Sequence, residues 1–518
     1  MKHFSWEKVD WSRVESRVNR LQNRIYLSSI GNRPGNVLFL QRILIRSFDA
    51  KLLAVRRVTT ENRGKFTSEL DLKTYITPSN KVRLVRRLTV DGRASPIRRV
   101  ALPKPGTSEK RPLGIRSPSA SDPIIRDRAK QMLVLLALEP QWEARFEPNS
   151  YGFRPGRSPH DAMEAVFSSI RVSDQDSHKK FVVDANIRKC FDNIDHEFLV
   201  SRLDTLTVIQ VQVRAWLKAG RFSADGALAR SDYDNVPNNL VGTPQGVVIS
   251  PFLCNVALHG MELHLKNWII SQSWPVSKPH HKYTANKVKS ISLIRFAGDF
   301  LIIHSNRDIA LRAKDEISRW LASTSKLSFN EDKTVVRSSR EGFNFLGFNF
   351  ITIKSSGSYK TKIYPSKKNY KRLVVRVGDL CRRLRSVSTY DLIKSLRPII
   401  LGWARYYKVC ECKRSFSRMD YSIFNILRSW VFRRDRRHGR KRVKEKYFPS
   451  GKTYVFDGRR YTNNWVLSGK KSLKIGLVDE IFLPKLSWVK SIKHVKVQGS
   501  FYDQDPLAEG ERGICLLR

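Results

Sequence analysis

The sequence predicts an α+β fold in its central part, with helical regions on both sides. Apolar residues recur at helical spacing before residue 90, and short apolar runs punctuated by Gly and Pro alternate with helical patterns over 91–355. From residue 356, long basic helical patterns dominate. Because 518 residues are too many for one hydrophobic core, we expect two or three domains.

Residues 1–90 are predicted to form a helical extension with a basic face. Leu40, Ile43 and Leu44 fall at helical spacing, and Arg42 and Arg46 lie among them. We expect these two arginines to face a polyanion.

The charge of the chain points to the class of partner. Lys and Arg number 96 against 47 Asp and Glu, a formal net charge of +49. An excess of this size favours a nucleic acid as partner, with an anionic membrane surface as the alternative. No apolar run is long enough to span a bilayer, so we expect no membrane insertion. The six Cys residues have no paired spacing, which favours a reducing compartment over a zinc site.

The central region is predicted to contain a short hairpin over 293–304. Two apolar runs flank Ala297, Gly298 and Asp299, so the sheet would hold the Asp299 carboxylate at a fixed point. A fixed carboxylate in a very basic protein indicates a metal-dependent nucleic-acid site. A single carboxylate, where a polymerase needs two, indicates that the site is damaged.

The region 356–465 is predicted to be helical and is followed by a basic tail over 466–518. Its segment 433–442 is almost entirely cationic and includes Arg436, Arg437 and Arg440. Aromatic residues interleave this run, which favours a phosphate-binding ridge over a merely solvated helix face.

These features occur within a series of motifs that resembles the reverse transcriptase/maturase proteins encoded by group II introns. The blocks follow one another in the family's order along nearly the whole chain. They are Lys104 with 111–115 and 127–128, 150–158, 186–196, 242–246 with 249–251, 293–303, 333–334 with 342–348, and 397–398 with 402–407. The resemblance implies right-hand fingers and palm over 91–355 and a helical thumb, or maturase domain X, over 356–465.

The resemblance also implies binding residues. Lys104 and Arg111, on either side of a Pro-Gly turn, would hold a triphosphate or phosphate backbone, and Phe191 would lie beneath the incoming sugar. Gln245 would lie in the template loop, where flanking Pro and Gly allow close approach. The residues expected to contact RNA are Arg42, Arg46, Arg154, Arg157, Arg405, Arg436, Arg437 and Arg440.

The polymerase site itself has lost both expected metal ligands. The resemblance places one Asp ligand at Asn186, and the other at Gly298. Polymerases use two divalent ions roughly 3.5–4 Å apart, and Mg²⁺ favours anionic oxygens. Asp184 lies two residues before Asn186, roughly 6.5–7 Å along the strand, too far to substitute without a register shift. Asp299 is the one remaining metal-ligand candidate of this vestigial site.

The sequence therefore predicts a group II intron maturase that binds intron RNA and assists its splicing, with polymerase activity lost. Two alternatives stay open: an active RNA-directed DNA polymerase, and a general RNA chaperone. The maturase role requires no cofactor, and Mg²⁺ would serve only residual polymerase activity.

Further expectations concern the chain's partners and compartment. The sequence ends at Arg518, where many relatives begin a nuclease domain, so we expect no DNA cleavage and no functional DNA binding. The oligomeric state is open, a homodimer included. The N-terminus lacks a targeting pattern, so we expect the protein to act where it is made, in a bacterial cytoplasm or in an organelle that encodes it. The resemblance implies a preference for an organelle, chloroplast before mitochondrion.

Overall fold

The computed structural model confirms a mixed helix-and-sheet architecture. It describes residues 4–61, 77–94, 97–103, 110–115, 121–171, 179–219, 221–222, 242, 247–272, 283–355, 358–472 and 478–503. The chain divides into two compact units. The first comprises 1–162, 183–336 and 497–518, and the second comprises 163–182 and 337–496. No helix in the described ranges is both long enough and apolar enough to cross a membrane.

The N-terminal part of the first unit is helical, as predicted. Its helices are α1 (Trp11–Ile30), α2 (Pro34–Arg46), α3 (Phe48–Arg56), α4 (Pro78–Arg87) and the long α5 (Ser121–Glu143). Asp10 caps α1 by accepting a hydrogen bond from the Arg13 backbone N–H. Helices α1, α2 and α3 all pack against α5. The Gln22 amide donates to the Leu136 carbonyl at 2.8 Å and so ties α1 to α5 through a buried polar contact.

Among the described residues, the first unit also contains shorter helices and two sheets. The helices are α6 (Pro159–Ile170, which passes into the second unit), α7 (Cys190–Asn193), α8 (His196–Arg202), α9 (Thr207–Lys218), α10 (Ser250–Leu258), α11 (Met261–Ser271), α12 (Tyr283–Ser290) and α13 (Arg307–Thr324). In the smaller sheet, β1 (Ile97–Pro103) pairs antiparallel with β2 (Lys110–Ile115) and parallel with β4 (Arg221–Phe222).

The sheet that carries the predicted hairpin has the strand order β5–β6–β3–β7. Its strands are β3 (Phe181–Asn186), β5 (Ser292–Phe296), β6 (Asp299–His304) and β7 (Val335–Ser338). The chain passes between the two units near the start of β3 and within β7. Residues 300–303 of β6 are all buried, as expected of a strand covered on both faces.

The second unit combines an antiparallel sheet with a helical region. The sheet is formed by β8 (Phe343–Phe345), β9 (Phe348–Ser355) and β10 (Ser358–Pro365). The helices are α14 (Lys367–Arg383), α15 (Thr389–Tyr407), α16 (Lys413–Arg434) and α17 (Arg440–Tyr447). Helix α14 packs against α16, and the Trp430 indole donates to the Leu384 carbonyl at 3.0 Å.

The segment predicted to be a basic tail contains regular structure. It holds the hairpin of β13 (Ser468–Ser472) and β14 (Val478–Phe482), which follows the hairpin of β11 (Thr453–Phe456) and β12 (Arg459–Thr462). Tyr454, Val466 and Trp488 form a buried cluster in this part of the second unit. Apolar burial therefore orders much of 466–503, although its composition is basic. The domain boundaries inferred from the sequence stay predictions.

Candidate functional site: the palm hairpin and the basic surfaces

The predicted hairpin is present and presents Asp299 at its turn. Phe296 of β5 lies opposite Asp299 of β6, so Ala297 and Gly298 form a two-residue turn. Ala297 has a φ of 58°, as a tight hairpin of this length requires. Asp299 is consequently the first residue of its strand, and its side chain retains exposure to solvent.

Asn186 is the immediate neighbour of Asp299 on the adjacent strand. It ends β3, and its side-chain Nδ2 donates a hydrogen bond to Oδ1 of Asp299. The following N–H, of Ile187, donates to the Gly298 carbonyl at 3.0 Å. The backbone therefore aligns the position of the expected first metal ligand with Asp299, but an amide occupies it.

The electrostatics of this pair differ from those of a metal site. Loss of hydration raises the pKa of the Asp299 carboxyl, while the hydrogen bond from Asn186 and the charge of Lys333 act in the opposite direction. An amide beside a carboxylate turns its N–H₂ group toward it, because two facing oxygens would repel. The Asn186 side chain thus satisfies one oxygen of Asp299 that a metal ion would otherwise bind.

Gly298 is not required by the backbone or by steric crowding. A Cβ atom at this position would meet Cys190 Cβ at 3.4 Å, an ordinary contact. By contrast, a Cβ on Gly152 would come within 2.5 Å of the Ala297 backbone nitrogen, so that glycine is needed for the close approach of the two chain segments. The turn could therefore accommodate a side chain at position 298, so its conformation does not explain why a glycine lies there.

The residues present do not fit a two-ion centre. Asp184 lies on β3, two residues from Asn186 and partly buried. Within the described ranges, no group of three or more His, Cys, Asp or Glu side chains is arranged to hold a metal ion. With Asn186 and Gly298 at the ligand positions, Asp299 is the one carboxylate at the turn.

The predicted nucleotide-binding residues are only partly described. Phe191 lies in α7, beside the hairpin sheet, and its ring centroid is 6.4 Å from that of the exposed Phe153. The Arg111 backbone pairs with Leu102 in the β1–β2 ladder. Lys104 and Gln245 lie outside the described residues.

Arg154 has a structural role, contrary to the expectation that it contacts RNA. Its side chain is buried, and Nε and Nη2 each donate to the Glu143 carboxylate at 2.8 Å. Nη1 donates to the carbonyls of Glu147 and Ser150, also at 2.8 Å. The guanidinium therefore neutralises a buried carboxylate and ties the 147–150 loop to α5, which leaves it unable to meet a phosphate.

Arg157 likewise bonds to the protein's own backbone. Its guanidinium donates to the carbonyls of Val497 and Gly499, and the Val497 N–H donates to the Asp161 carboxylate at 2.9 Å. These contacts fasten the segment 497–503 to the first unit. Local sequence contains no sign of this pairing, because the partners lie more than 300 residues apart.

The other predicted RNA-contacting arginines are exposed. Arg42 and Arg46 lie one turn apart on α2, beside the exposed apolar residues Phe39 and Ile43. Four of the predicted arginines lie exposed in the second unit: Arg405 on α15, Arg436 and Arg437 after α16, and Arg440 at the start of α17. Each unit therefore carries a solvent-exposed basic surface suited to a phosphate backbone.

Family models match three successive parts of the chain. The N-terminal domain of reverse transcriptase matches residues 6–88, and reverse transcriptase (RNA-dependent DNA polymerase) matches 102–350. The maturase-specific domain of group II introns matches 370–448. These matches follow the order of the blocks read from the sequence.

Curated proteins of related sequence include bacterial and eukaryotic examples. Protein YkfC of Escherichia coli (strain K12) is 29% identical over 61% of this chain and 85% of its own length. Group II intron-encoded protein LtrA of Lactococcus lactis subsp. cremoris is 26% identical over 51% of this chain, which spans about half (48%) of LtrA. Maturase-like protein 1 of Euglena gracilis is 24% identical over 80% of this chain and 79% of its own length.

Proposed function

Because this chain belongs to the family of group II intron-encoded reverse transcriptases and maturases, we propose that it is a splicing cofactor without polymerase activity. In this role it binds a folded group II intron and stabilises the RNA's catalytic conformation, and the RNA itself performs the transesterifications. The protein supplies binding energy and no reacting group.

The hydrogen bond between Asn186 and Asp299 is the main support for this proposal. A polymerase would need carboxylates from both strands to face the same pair of ions. Here the amide donates into the remaining carboxylate, and Gly298 offers no second one. The sheet geometry is kept, and in this proposal the single carboxylate at the turn is insufficient for phosphoryl transfer.

Binding to RNA would use the exposed arginines of both units. Phosphate contacts by Arg42 and Arg46 on α2, and by Arg436, Arg437 and Arg440 in the second unit, would release counterions from the RNA. Specificity for one intron would come from RNA shape and from unpaired bases, because side chains cannot read the base edges in the deep, narrow groove of an A-form helix.

A splicing assay tests the proposal. Precursor RNAs for the group II introns of the same genome are incubated with the purified full-length protein at a Mg²⁺ concentration where they splice poorly alone. We expect faster appearance of ligated exons for at least one intron, and reduced stimulation when Arg436, Arg437 and Arg440 are replaced by Gln. Binding that shows no preference for any intron over bulk RNA, with no acceleration, would instead identify a general RNA chaperone.

Primer extension tests the loss of polymerase activity. A primed RNA template is incubated with deoxynucleotides and either Mg²⁺ or Mn²⁺. We expect no template-dependent cDNA. Synthesis that is abolished by Asp299→Ala would overturn this part of the proposal and make the chain an active reverse transcriptase.

The compartment in this proposal is the one that transcribes the intron. It is a bacterial cytoplasm or an organelle, for which we favour the chloroplast over the mitochondrion. Locating the gene relative to a group II intron in the source genome decides among them and identifies the first intron to assay.

A further inference from the structure

The second unit contains an apolar groove, which none of the residues of the polymerase motifs lines. Its volume is about 580 Å³, within the range of small-molecule sites. Helix α16 provides one wall with residues spaced along a single face, among them Asp420, Tyr421, Phe424 and Arg428. The other wall is formed by Phe448 after α17, by 465 and 467 before β13, and by 483–487 after β14.

Five aromatic side chains line this groove, and two of them face solvent. Tyr421 is 68% exposed and Trp465 is 46% exposed. The Phe424 ring meets the Trp465 ring edge-on at 5.2 Å, and the Phe448 ring lies 6.1 Å from it. These buried or half-buried neighbours hold the indole in place while its outer surface stays accessible.

Basic side chains surround the same rings. Lys444 Nζ lies 5.3 Å from the centroid of the Trp465 ring, and the exposed Arg428 and the partly buried Lys485 line the groove. Burial lowers the pKa of the Lys485 ammonium, and the negative charge of Asp420 acts in the opposite direction. An aromatic platform with cations at its edge complements a nucleotide, because the base stacks on the ring and its phosphate meets the charge.

Hydrogen bonds within the protein fix the shape of the groove. The Asp420 carboxylate accepts the backbone N–H groups of Leu486 and Ser487 at 2.7 and 3.0 Å. Asn463 Oδ1 accepts both the Trp465 backbone N–H at 2.9 Å and the Lys485 ammonium at 3.0 Å. The acidic residue of the groove is thus occupied by backbone donors, and the platform and its cation are held together.

We propose that this groove binds an unpaired nucleobase of RNA by stacking it on Trp465 and Tyr421, with the neighbouring phosphate held by Arg428, Lys444 or Lys485. The inference rests on the proposed RNA-binding function and adds a site that reads single-stranded RNA. Charge complementarity favours RNA over a protein segment, since an apolar peptide would gain nothing from the surrounding cations.

A comparison of two oligomers isolates the contribution of the base. The full-length protein is titrated with oligouridylate and with an abasic ribose-phosphate oligomer of equal length, which carries the same phosphates. We expect tighter binding of oligouridylate. Replacing the indole in Trp465→Leu should weaken that binding roughly tenfold and leave the abasic oligomer's affinity and salt dependence unchanged.

Two further variants control for folding and for aromatic loss in general. Trp465→Phe keeps a ring and should retain most of the preference for oligouridylate. Tyr359→Leu removes a ring that Arg340 covers at 4.6 Å, in a part of the second unit that does not line the groove, and should change neither affinity. Crosslinking of 4-thiouridine in the oligomer should map to peptides that contain Tyr421 or Trp465.

The outcomes separate this inference from the proposed function. If the unmodified protein binds neither oligomer nor intron RNA at moderate salt, the proposed function fails. If it binds RNA but Trp465→Leu affects both oligomers equally or neither, or crosslinks map elsewhere, only the groove inference fails. Saturable binding of an amphipathic peptide at Trp465 that oligouridylate does not displace would also overturn it, in favour of a protein partner.

Discussion

Placing a carboxylate at position 186, in Asn186→Asp, should destabilise the protein unless a divalent cation is present. In the parent protein, the neutral Asn186 amide donates a hydrogen bond to the negatively charged Asp299 carboxylate. The substitution removes the donor and places a second carboxylate against the first. Two carboxylates so close cannot both ionise without a large cost.

The size of the effect follows from two contributions. Loss of a hydrogen bond to a charged group costs about 1.5–3 kcal/mol. Repulsion between unit charges about 4 Å apart reaches roughly 4 kcal/mol at an effective dielectric of 20, but solvent exposure of Asp299 reduces it to about 1–2 kcal/mol. We therefore expect the free energy of unfolding to fall by about 2.5–5 kcal/mol at pH 7 without metal.

Thermal unfolding measured against pH and Mg²⁺ tests this expectation. In the variant, repulsion raises a folded-state carboxyl pKa above its unfolded value. The loss in the free energy of unfolding is therefore absent when the pH is below the pKa of the unfolded state, about 4. It is complete once the pH exceeds the pKa of the folded state. The melting temperatures of variant and parent should converge toward pH 4. At pH 7, Mg²⁺ or Mn²⁺ should raise the melting temperature of the variant and leave that of the parent unchanged.

The same chemical change at Asn306 provides a matched control. Asn306 Oδ1 caps α13 by accepting the N–H groups of Asp308 and Ile309 at 2.8 and 3.2 Å. A carboxylate is favourable at a helix N-terminus, so Asn306→Asp should be neutral or slightly stabilising and indifferent to Mg²⁺. A stable, metal-indifferent Asn186→Asp protein would refute the reasoning, because the pair would then not be close enough to interact.

Three further predictions concern other parts of the chain. Arg154→Met should lower stability by about 3–5 kcal/mol by leaving Glu143 buried and unpaired, and adding Glu143→Leu should recover most of the loss in the melting temperature. Arg436→Gln and Arg440→Gln should leave the melting temperature unchanged, and each substitution that removes a phosphate-binding cation should reduce the slope of log affinity against log salt by about 0.7–0.9. Burial raises the pKa of Glu139 to about 7 from 4.5, so the parent should lose up to about 3 kcal/mol as pH rises through that window, and Glu139→Gln should not.

The sequence predicted the local features of the site well because they depend on short-range patterns. Apolar runs on both sides of a Gly-containing turn specify the hairpin, and counting along motifs identifies Asn186 and Gly298 as the altered positions. The pairing of Asn186 with Asp299 requires strands more than 100 residues apart to be neighbours, which no local pattern encodes.

The prediction from residue type alone failed for Arg154, because burial decided its role, and the backbone contacts of Arg157 were not foreseen. Arg154 and Arg157 lie in a polar Gly/Pro loop that is typical of RNA contact, yet both bind protein groups. Their partners, Glu143 on α5 and the backbone of 497–499, become neighbours only through the tertiary fold. The groove at Trp465 was missed for the same reason, since its lining comes from five separate segments.

The hairpin supports the fold of the first unit independently of catalysis, which explains how it persists with an altered site. Both backbone groups of Arg295 in β5 are bonded to the loop after α5: its N–H donates to the Asn149 carbonyl, and its carbonyl accepts the Tyr151 N–H, each at 2.9 Å. Its side chain is fully buried and donates to Asn255 on α10 at 3.0 Å. Disrupting the hairpin would leave these buried groups unpaired, whereas Asn186 and Gly298 alter only the charge at its turn. Under the proposed function, selection for RNA binding would therefore be enough to maintain the palm as a scaffold without selection for nucleotide addition.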